Sequence, residues 1–140
     1  GSLRNIKSVA LSKVICKNNS KNDWSAVDDY LESIILSILR NKINKNNYFN
    51  VNFPNVLSKD IKSIKLTHLA SRKPVGNYII RKDAKGVPYY WLTTERSKEE
   101  GNKGSDIWAL KNNYISVTPL NSDMTESTSF NNYKEQFNKN

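Results

Sequence analysis

Two patterns of apolar and polar positions in the first half of the chain are typical of β-strands. Ser8–Ile15 is a short apolar run rich in β-branched residues, which is typical of a strand buried on both faces in a parallel sheet. Tyr48–Phe53 alternates so that its odd-numbered residues share one face, and Pro54 is expected to end it. Two strands are therefore predicted in this part of the chain.

A helix is predicted between these two strands. Apolar residues recur at helical spacing from Trp24 to Ile38, and Asn22 or Asp23 is the expected cap. Arg40 follows in the last turn, where a cation complements the helix dipole. Strand, helix and strand in this order predict a right-handed βαβ unit of an α/β sheet.

The pattern changes character after the second strand. Ile61–Leu69 alternates again, and the apolar runs Tyr78–Arg81 and Val87–Leu92 flank a polar turn. Asp83 and Gly86 in that turn suit a β-hairpin. We therefore expect this part of the chain to be antiparallel.

A short helix and a last strand are predicted near the end of the chain. Ser105–Lys111 reads as the helix, with its first residue as cap and Asn113 in the left-handed conformation that ends it. Tyr114–Thr118 reads as the strand, closed by Pro119. The mostly polar residues after Leu120 are expected to form a tail that is mobile unless a partner subunit holds it.

These patterns predict an α/β fold in which one βαβ unit adjoins an extended antiparallel hairpin region. We assign residues 1–57 to the βαβ part and residues 58–120 to the hairpin part of the same domain. Residues 121–140 form the polar tail. A chain of 140 residues has the usual size of a single domain.

The formal net charge of +9 favours partners that carry phosphate groups. The lysines and asparagines are scattered, however, so the charge equally fits a compositional bias of the source. Cys16 is the only cysteine, which excludes an intrachain disulfide and a thiolate zinc cage and suits a reducing cytoplasm. No apolar run reaches the ~20 residues needed to span a bilayer.

Few residues have the chemistry of a catalytic or metal site. His68 is the only histidine, so one copy of the chain has no histidine metal cluster and no histidine base beside a nucleophile. We expect it at a surface or an edge. Asp28 and Asp29 complement a helix dipole, and Glu99 and Glu100 belong to a solvated charge run. Neither pair follows a strand, where a Mg²⁺ or Mn²⁺ site is usual.

The glycines form no phosphate-binding loop of known spacing. Gly101–Ser105 lacks the P-loop pattern and a preceding buried strand. As a weaker alternative, the amides of Gly104 and Ser105, just before a helix start, would receive an anion.

Aromatic residues are the most conspicuous group in the second half of the chain. Stacking on single-stranded bases needs such rings beside a basic groove. Core filling or subunit contact is the commoner use of large rings on a hairpin. The group comprises Tyr89, Tyr90, Trp91, Trp108 and Tyr114.

Five stretches, in this order and spacing, resemble a known family. They are Ile6–Ser12, Asn50–Pro54, Ser63–Thr67, Asp83–Trp91, and Gly104–Ala109 followed by Tyr114–Leu120. Together they resemble the SurE family of 5'- and 3'-nucleotidases. The chain departs from the family at Asn113, where glycine is frequent, and at His68, where a basic residue is frequent.

The resemblance implies that this chain corresponds to the carboxyl-terminal portion of a metal-dependent nucleotidase. Family members have a Rossmann-like amino-terminal part and a carboxyl-terminal part with an extended hairpin used in dimer or tetramer assembly. The ligands of the Mg²⁺ or Mn²⁺ ion are implied to lie upstream, in an Asn-Asp-Asp-Gly motif and later loops that this sequence does not contain. Gly1 is expected to align just after them, inside a larger protein, unless Gly1-Ser2 is a remnant of cloning.

The resemblance therefore transfers no catalytic, cofactor-binding or metal-binding residue to this chain. It implies a cytoplasmic, homo-oligomeric hydrolase of nucleoside monophosphates that uses metal-activated water, with no membrane partner and only weak, nonspecific binding of nucleic acid. The alternative is a non-enzymatic basic module that binds single-stranded nucleic acid through Trp91, Tyr89 and nearby lysines. A third hypothesis is that the hairpin and tail serve only to assemble oligomers.

Overall fold

The structure is a computed structural model that describes residues 1–4, 6–16, 22–41, 44, 46–71, 76–94 and 101–138. Two 3₁₀ turns, Ser2–Arg4 and Ser58–Asp60, accompany nine longer elements in the described segments. In chain order these are β1 (Val9–Lys13), α1 (Ser25–Arg40), β2 (Asn47–Phe53), β3 (Ser63–Leu66), β4 (Gly76–Lys82), β5 (Pro88–Thr94), α2 (Asp106–Lys111), β6 (Tyr114–Asn121) and α3 (Ser127–Phe137).

Four of the strands form one mixed sheet in the order β1-β2-β6-β3. β1 and β2 are parallel, with Leu11 opposite Val51, so the predicted βαβ unit and the α/β class are confirmed. β2 and β6 are antiparallel, with Val51 opposite Val117. β4 and β5 form a separate two-stranded hairpin, as predicted.

The prediction that the chain after β2 is wholly antiparallel was wrong for β3. β3 pairs with β6 in parallel, with Ile64 opposite Ile115. A parallel pair needs a long crossover, and the connection between β3 and β6 includes the hairpin and α2. Alternation along Ile61–Leu69 indicates a strand but contains no information on the direction of its partner.

The main core lies between α1 and one face of the sheet. α1 contributes the buried residues Ala26, Ile34 and Ile38. The sheet contributes inward-facing residues of its two central strands, namely Val51, Phe53, Ile115 and Val117. The opposite face of β6 carries the buried hydroxyls Ser116 and Thr118, and Thr67 bonds to both at 2.8 and 2.7 Å.

β1 is not buried on both faces, contrary to the prediction. It is an edge strand of the sheet, and Leu11 at its centre is 48% exposed. Only Val9 on this strand packs partly against the core. The apolar composition correctly indicated a parallel strand, but no described residue covers its outer side.

Two predicted helix signals are confirmed and one was shifted. Ser105 caps α2 by accepting a hydrogen bond from Trp108 N, and Asn113 has φ of +63° after that helix. At α1 the residue before the first turn is Trp24, whose side chain forms no cap bond, instead of Asn22 or Asp23. The Asp23 carboxylate still accepts from Ser25 N at 3.0 Å, because it reaches the first turn from one residue earlier.

Pro119 does not end the last strand, contrary to the prediction. β6 continues to Asn121, and Pro119 lies opposite Phe49. Phe49 directs its N–H toward β1, bonding Ser8 O at 3.0 Å, so Phe49 and Pro119 form a non-hydrogen-bonded pair. On its other side Pro119 faces the position of β3, but β3 already ends opposite Val117. The missing N–H of Pro119 therefore costs no ladder bond.

The residues after β6 contain a helix that the sequence analysis missed. The carboxylate of Glu126 accepts from Thr128 N at 3.0 Å and from Ser129 N at 2.5 Å, at the start of α3. Hydrogen bonds from Ser129, first from its side chain and then from its backbone N–H, are the main reason that the pKa of Glu126 falls to about 2. No described residue of α3 is buried. The mobility of this segment stays a prediction.

The proposed boundary at residues 57 and 58 also stays a prediction. β6 lies between β2 and β3, so both segments contribute strands to one sheet. Within the described ranges, none of the helices has the length and apolar character needed to cross a membrane.

Replacing Ile115 by alanine is expected to lower the free energy of unfolding by about 2–5 kcal/mol, because the side chain is fully buried in the main core. Its register partner Ile64 is 40% exposed, so Ile64→Ala is the matched control and should cost roughly 1 kcal/mol or less. Urea unfolding measures both. Equal losses would mean that the core is not where the structure places it.

Candidate functional site

The acidic residues do not gather into a metal site in the part of the chain that the structure describes. Asp28 and Asp29 are exposed at the start of α1. Glu99 and Glu100 lie outside the described residues. Among the described residues, no group of three His, Cys, Asp or Glu side chains is placed to hold a metal ion.

His68 is exposed directly after β3, as the sequence analysis expected for a surface residue. Its backbone forms an isolated bridge with Ser105, in which His68 N bonds Gly104 O at 3.3 Å and Asp106 N bonds His68 O at 2.9 Å. The residue thus ties β3 to the start of α2 through its main chain.

The turn before α2 and the first residues of the helix make several hydrogen bonds within the chain, beginning with Ser105 N, which donates to Asn102 O at 2.9 Å. Ser105 Oγ accepts from Trp108 N at 3.3 Å, and Asp106 Oδ1 accepts from Ile107 N at 2.8 Å. Asp106 Oδ1 also accepts from Ala70 N at 2.9 Å. The Asp106 carboxylate thus accepts from the amides of Ile107 and Ala70, while an anion site at the amides of Gly104 and Ser105 stays a prediction.

The conspicuous aromatic residues separate into two groups in space. Tyr89, Tyr90 and Trp91 lie on the hairpin, whereas Trp108 on α2 stacks against Tyr114 at the start of β6. The two groups therefore have different surroundings and need separate explanations.

The hairpin exposes apolar side chains on both of its faces. Alternation along β4 and β5 places Tyr78, Ile80, Tyr90 and Leu92 on one face, where they are 53–69% exposed. The other face carries Ile79, Tyr89 and Trp91, which are 39–56% exposed, with Arg81 over the Trp91 ring at 5.9 Å. A two-stranded ribbon is marginally stable by itself. We call these two faces the hairpin surface.

An open apolar cleft lies beside β1, on the same side of the sheet as α1. Its volume is about 140 Å³. Lys13 Nζ lies 5.3 Å from the centre of the Trp24 ring and also bonds the side chain of Asn55, so the cleft has a basic rim. We call it the β1 cleft, and it is lined by Leu11, Ser12, Lys13, Trp24, Val27, Leu31 and Phe53.

The outer edge of β1 adjoins this cleft. Val14 donates its N–H to Phe53 O at 2.9 Å, and Ser8 O accepts from Phe49 N, so even-numbered residues of the strand point their backbone groups at β2. The backbone groups of Val9, Leu11 and Lys13 consequently point away from β2. The sequence analysis missed this site, because it expected the first strand to be buried on both faces; the 54% exposure of Trp24 and the 48% exposure of Leu11 appear only in the structure.

Comparison with known proteins relates the chain to one family. The family described as Survival protein SurE matches residues 1–75. A 5'-nucleotidase SurE from Methylocella silvestris is 32% identical over 136 residues, covering 96% of this chain and 54% of the relative. A 5'-nucleotidase SurE from Aquifex aeolicus is 39% identical over 95 residues, covering 66% of this chain and 37% of the relative.

The fold is also similar to a solved structure. The crystal structure of the SurE protein from Aquifex aeolicus has a TM-score of 0.71 and 30% sequence identity, covering 96% of this chain and 53% of that chain. The matches to the Methylocella silvestris relative and to this structure cover most of the present chain. The chain spans about half the length of each of them.

Two glycines with positive φ give a test of the closed turn before α2. A Cβ on Gly101 (φ +71°) would lie 2.6 Å from Ser105 Oγ and 3.1 Å from Trp108 N, whereas one on Gly86 (φ +83°) would meet nothing within 4 Å. Gly86→Ala should cost roughly 1–2 kcal/mol from the left-handed backbone alone. Gly101→Ala should cost at least about 1 kcal/mol more.

Thermal unfolding measures how much each variant is destabilised. Equal destabilisation would indicate an open turn around Gly101, with room for a ligand.

Proposed function

This chain belongs to the SurE family, and we propose that it is the portion of a 5'-nucleotidase that supplies scaffold and assembly surfaces. The complete protein would hydrolyse a nucleoside 5'-monophosphate to a nucleoside and phosphate. The proposal is supported by two relatives described as 5'-nucleotidase SurE, whose matches cover 96% and 74% of this chain. The catalytic groups are assigned to the part of the nucleotidase that these 140 residues do not include.

The open edge of β1 is the observation that carries this proposal. Parallel strands are normally buried on both faces, and an exposed apolar edge invites pairing with another strand. β1 combines an apolar sequence, outward-pointing backbone groups and an adjoining apolar cleft. A strand from the remaining half of the nucleotidase would pair with these backbone groups and cover the apolar sequence and the cleft.

The divalent metal implied by the family resemblance finds no fitting site among the described residues. A Mg²⁺ or Mn²⁺ ion needs several oxygen ligands converging on one point. The described carboxylates form no such group. We therefore assign no chemical step involving the metal to this chain, and we place its ligands in the other half of the protein.

The hairpin surface is the second assembly surface in this proposal. Its two apolar faces suit burial between copies of the chain, in a dimer or a tetramer. Interfaces are enriched in tyrosine, tryptophan and arginine at their centres, and Arg81, Tyr90 and Trp91 have this character. A cytoplasmic location is part of the same proposal, supported by a single, exposed and unpaired cysteine, Cys16.

Activity should require both halves of the nucleotidase. Incubated alone with Mn²⁺ and a nucleoside 5'-monophosphate, the 140-residue chain should release no phosphate above a protein-free control. Co-expression with the complementary half of the Methylocella silvestris relative should give a co-purifying complex that releases phosphate. Hydrolysis by the chain alone would contradict the division of labour.

Leu11→Asp should abolish co-purification, because it places a charge in the β1 cleft. Leu36→Asp is the matched control, since Leu36 is 41% exposed on α1 and does not line the cleft. If both variants bind the other half equally well, β1 is not the docking edge.

Assembly through the hairpin surface should depend on its aromatic residues. The double change Tyr90→Ser and Trp91→Ser should convert oligomers of the chain to monomers in light-scattering measurements, because it removes large rings from both faces. Lys85→Ser at the exposed hairpin turn is the control and should leave the mass unchanged. An unchanged mass in the double variant would assign assembly to another surface, such as α3.

A further inference from the structure

The stacked pair Trp108 and Tyr114 forms an aromatic surface away from the hairpin. The two ring centroids are 5.5 Å apart with an angle of 21° between the planes. The left-handed conformation of Asn113 turns the chain from α2 into β6, which brings the rings together. Both residues are only half-buried, so part of the pair is accessible to solvent.

Two lysines converge on the same tyrosine. Lys62 Nζ is 5.4 Å and Lys65 Nζ is 5.3 Å from the centroid of the Tyr114 ring. The strand register accounts for Lys65, because Ser63 lies opposite Tyr114 and Lys65, two residues further along β3, points to the same face. Lys62 precedes the strand, and its N–H bonds Asn113 O at 3.0 Å, which holds it beside the residue before Tyr114. We call these four residues, Lys62, Lys65, Trp108 and Tyr114, the lysine–aromatic patch.

The charges of this patch are not balanced by nearby acids. Both lysines are exposed, and neither has a carboxylate partner within the described part of the chain. Two ammonium groups beside one ring repel each other, and an anion placed between them relieves that repulsion. The net charge of +9 adds a long-range attraction for polyanions.

A simpler explanation is that these lysines protect the free edge of β3 from pairing with other strands. Edge lysines have this role in many sheets. It accounts for Lys65, which lies within β3, but not for Lys62, which precedes the strand. It also does not account for the convergence of both ammonium groups on one ring.

We propose that the lysine–aromatic patch binds single-stranded nucleic acid without sequence preference. The ammonium groups of Lys62 and Lys65 would contact backbone phosphates, and a base would stack beside the Trp108–Tyr114 pair. Proteins that bind single strands combine these two kinds of contact. The site is separate from the hairpin surface, to which Trp91 and Tyr89 belong, and it does not depend on the proposed nucleotidase activity.

Salt dependence tests the phosphate contacts. Fluorescence anisotropy of a labelled oligothymidylate should be measured with the 140-residue chain at several salt concentrations. Each phosphate contact contributes about 0.7 to the slope of log affinity against log salt for single strands, so Lys62→Gln with Lys65→Gln should reduce the slope by about 1.4. Lys62→Arg with Lys65→Arg should retain it.

A charge-matched control separates the patch from the overall charge. Lys82→Gln with Lys85→Gln removes the same charge from the exposed hairpin turn and should change the slope by much less. Equal effects of the two double variants would overturn the proposal, because they would show that only net charge matters. Circular dichroism verifies that the fold is retained.

Tryptophan fluorescence tests the position of the base. Replacing Trp24 and Trp91 by phenylalanine leaves Trp108 as the sole tryptophan. Its emission should be quenched by the oligonucleotide and not by polyglutamate of equal charge. No quenching, or equal displacement of the oligonucleotide by polyglutamate, would overturn the assignment to nucleic acid and indicate a site for acidic peptides.

Discussion

Backbone groups on the outer edge of β1 need hydrogen-bond partners, and the proposed docking of another strand follows from this requirement. β2 and β6 satisfy each other at the centre of the sheet, and α1 covers the apolar face that they share. β1 lies outside that arrangement, and among the strands that the structure describes it pairs with β2 alone. Exposed N–H and C=O groups beside Leu11 and an apolar cleft favour the addition of one more strand.

The described residues build a core but no cluster of metal ligands. The buried residues of the core are apolar side chains and hydroxyls that bond each other, such as Thr67 with Ser116. None of the described residues forms a ligand cluster for a metal. The described part of the chain therefore consists of a sheet with α1 packed on one face and of several exposed surfaces. In the proposed nucleotidase, the other half of the protein completes the sheet and contributes the reacting groups.

Local signals in the sequence predicted much of the fold. An apolar, β-branched run identified β1, helical spacing identified α1, and the two-residue period identified β2. The turn from Asp83 to Gly86 identified the hairpin, because neighbouring residues alone determine these features. The direction of β3 and the passage of β6 through Pro119 depend on partners distant in sequence. α3 was missed even though Glu126 is a local cap signal, because the mostly polar residues after Leu120 were interpreted as a tail.

The surfaces were harder to predict than the fold. The aromatic residues were recognised, but their separation into the hairpin surface and the Trp108–Tyr114 pair follows from tertiary structure. The β1 cleft was missed because an apolar run has the same appearance whether the strand is covered or awaits a partner.

Amide hydrogen exchange along β1 is the most direct measurement of the docking edge. The N–H groups of Val9, Leu11 and Lys13 point away from β2, whereas those of Ala10 and Ser12 point toward it. In the chain alone, the first set should exchange quickly and the second slowly. Addition of the complementary half should slow the exchange of Val9, Leu11 and Lys13 selectively. Unchanged exchange at these three amides in the complex would contradict the account.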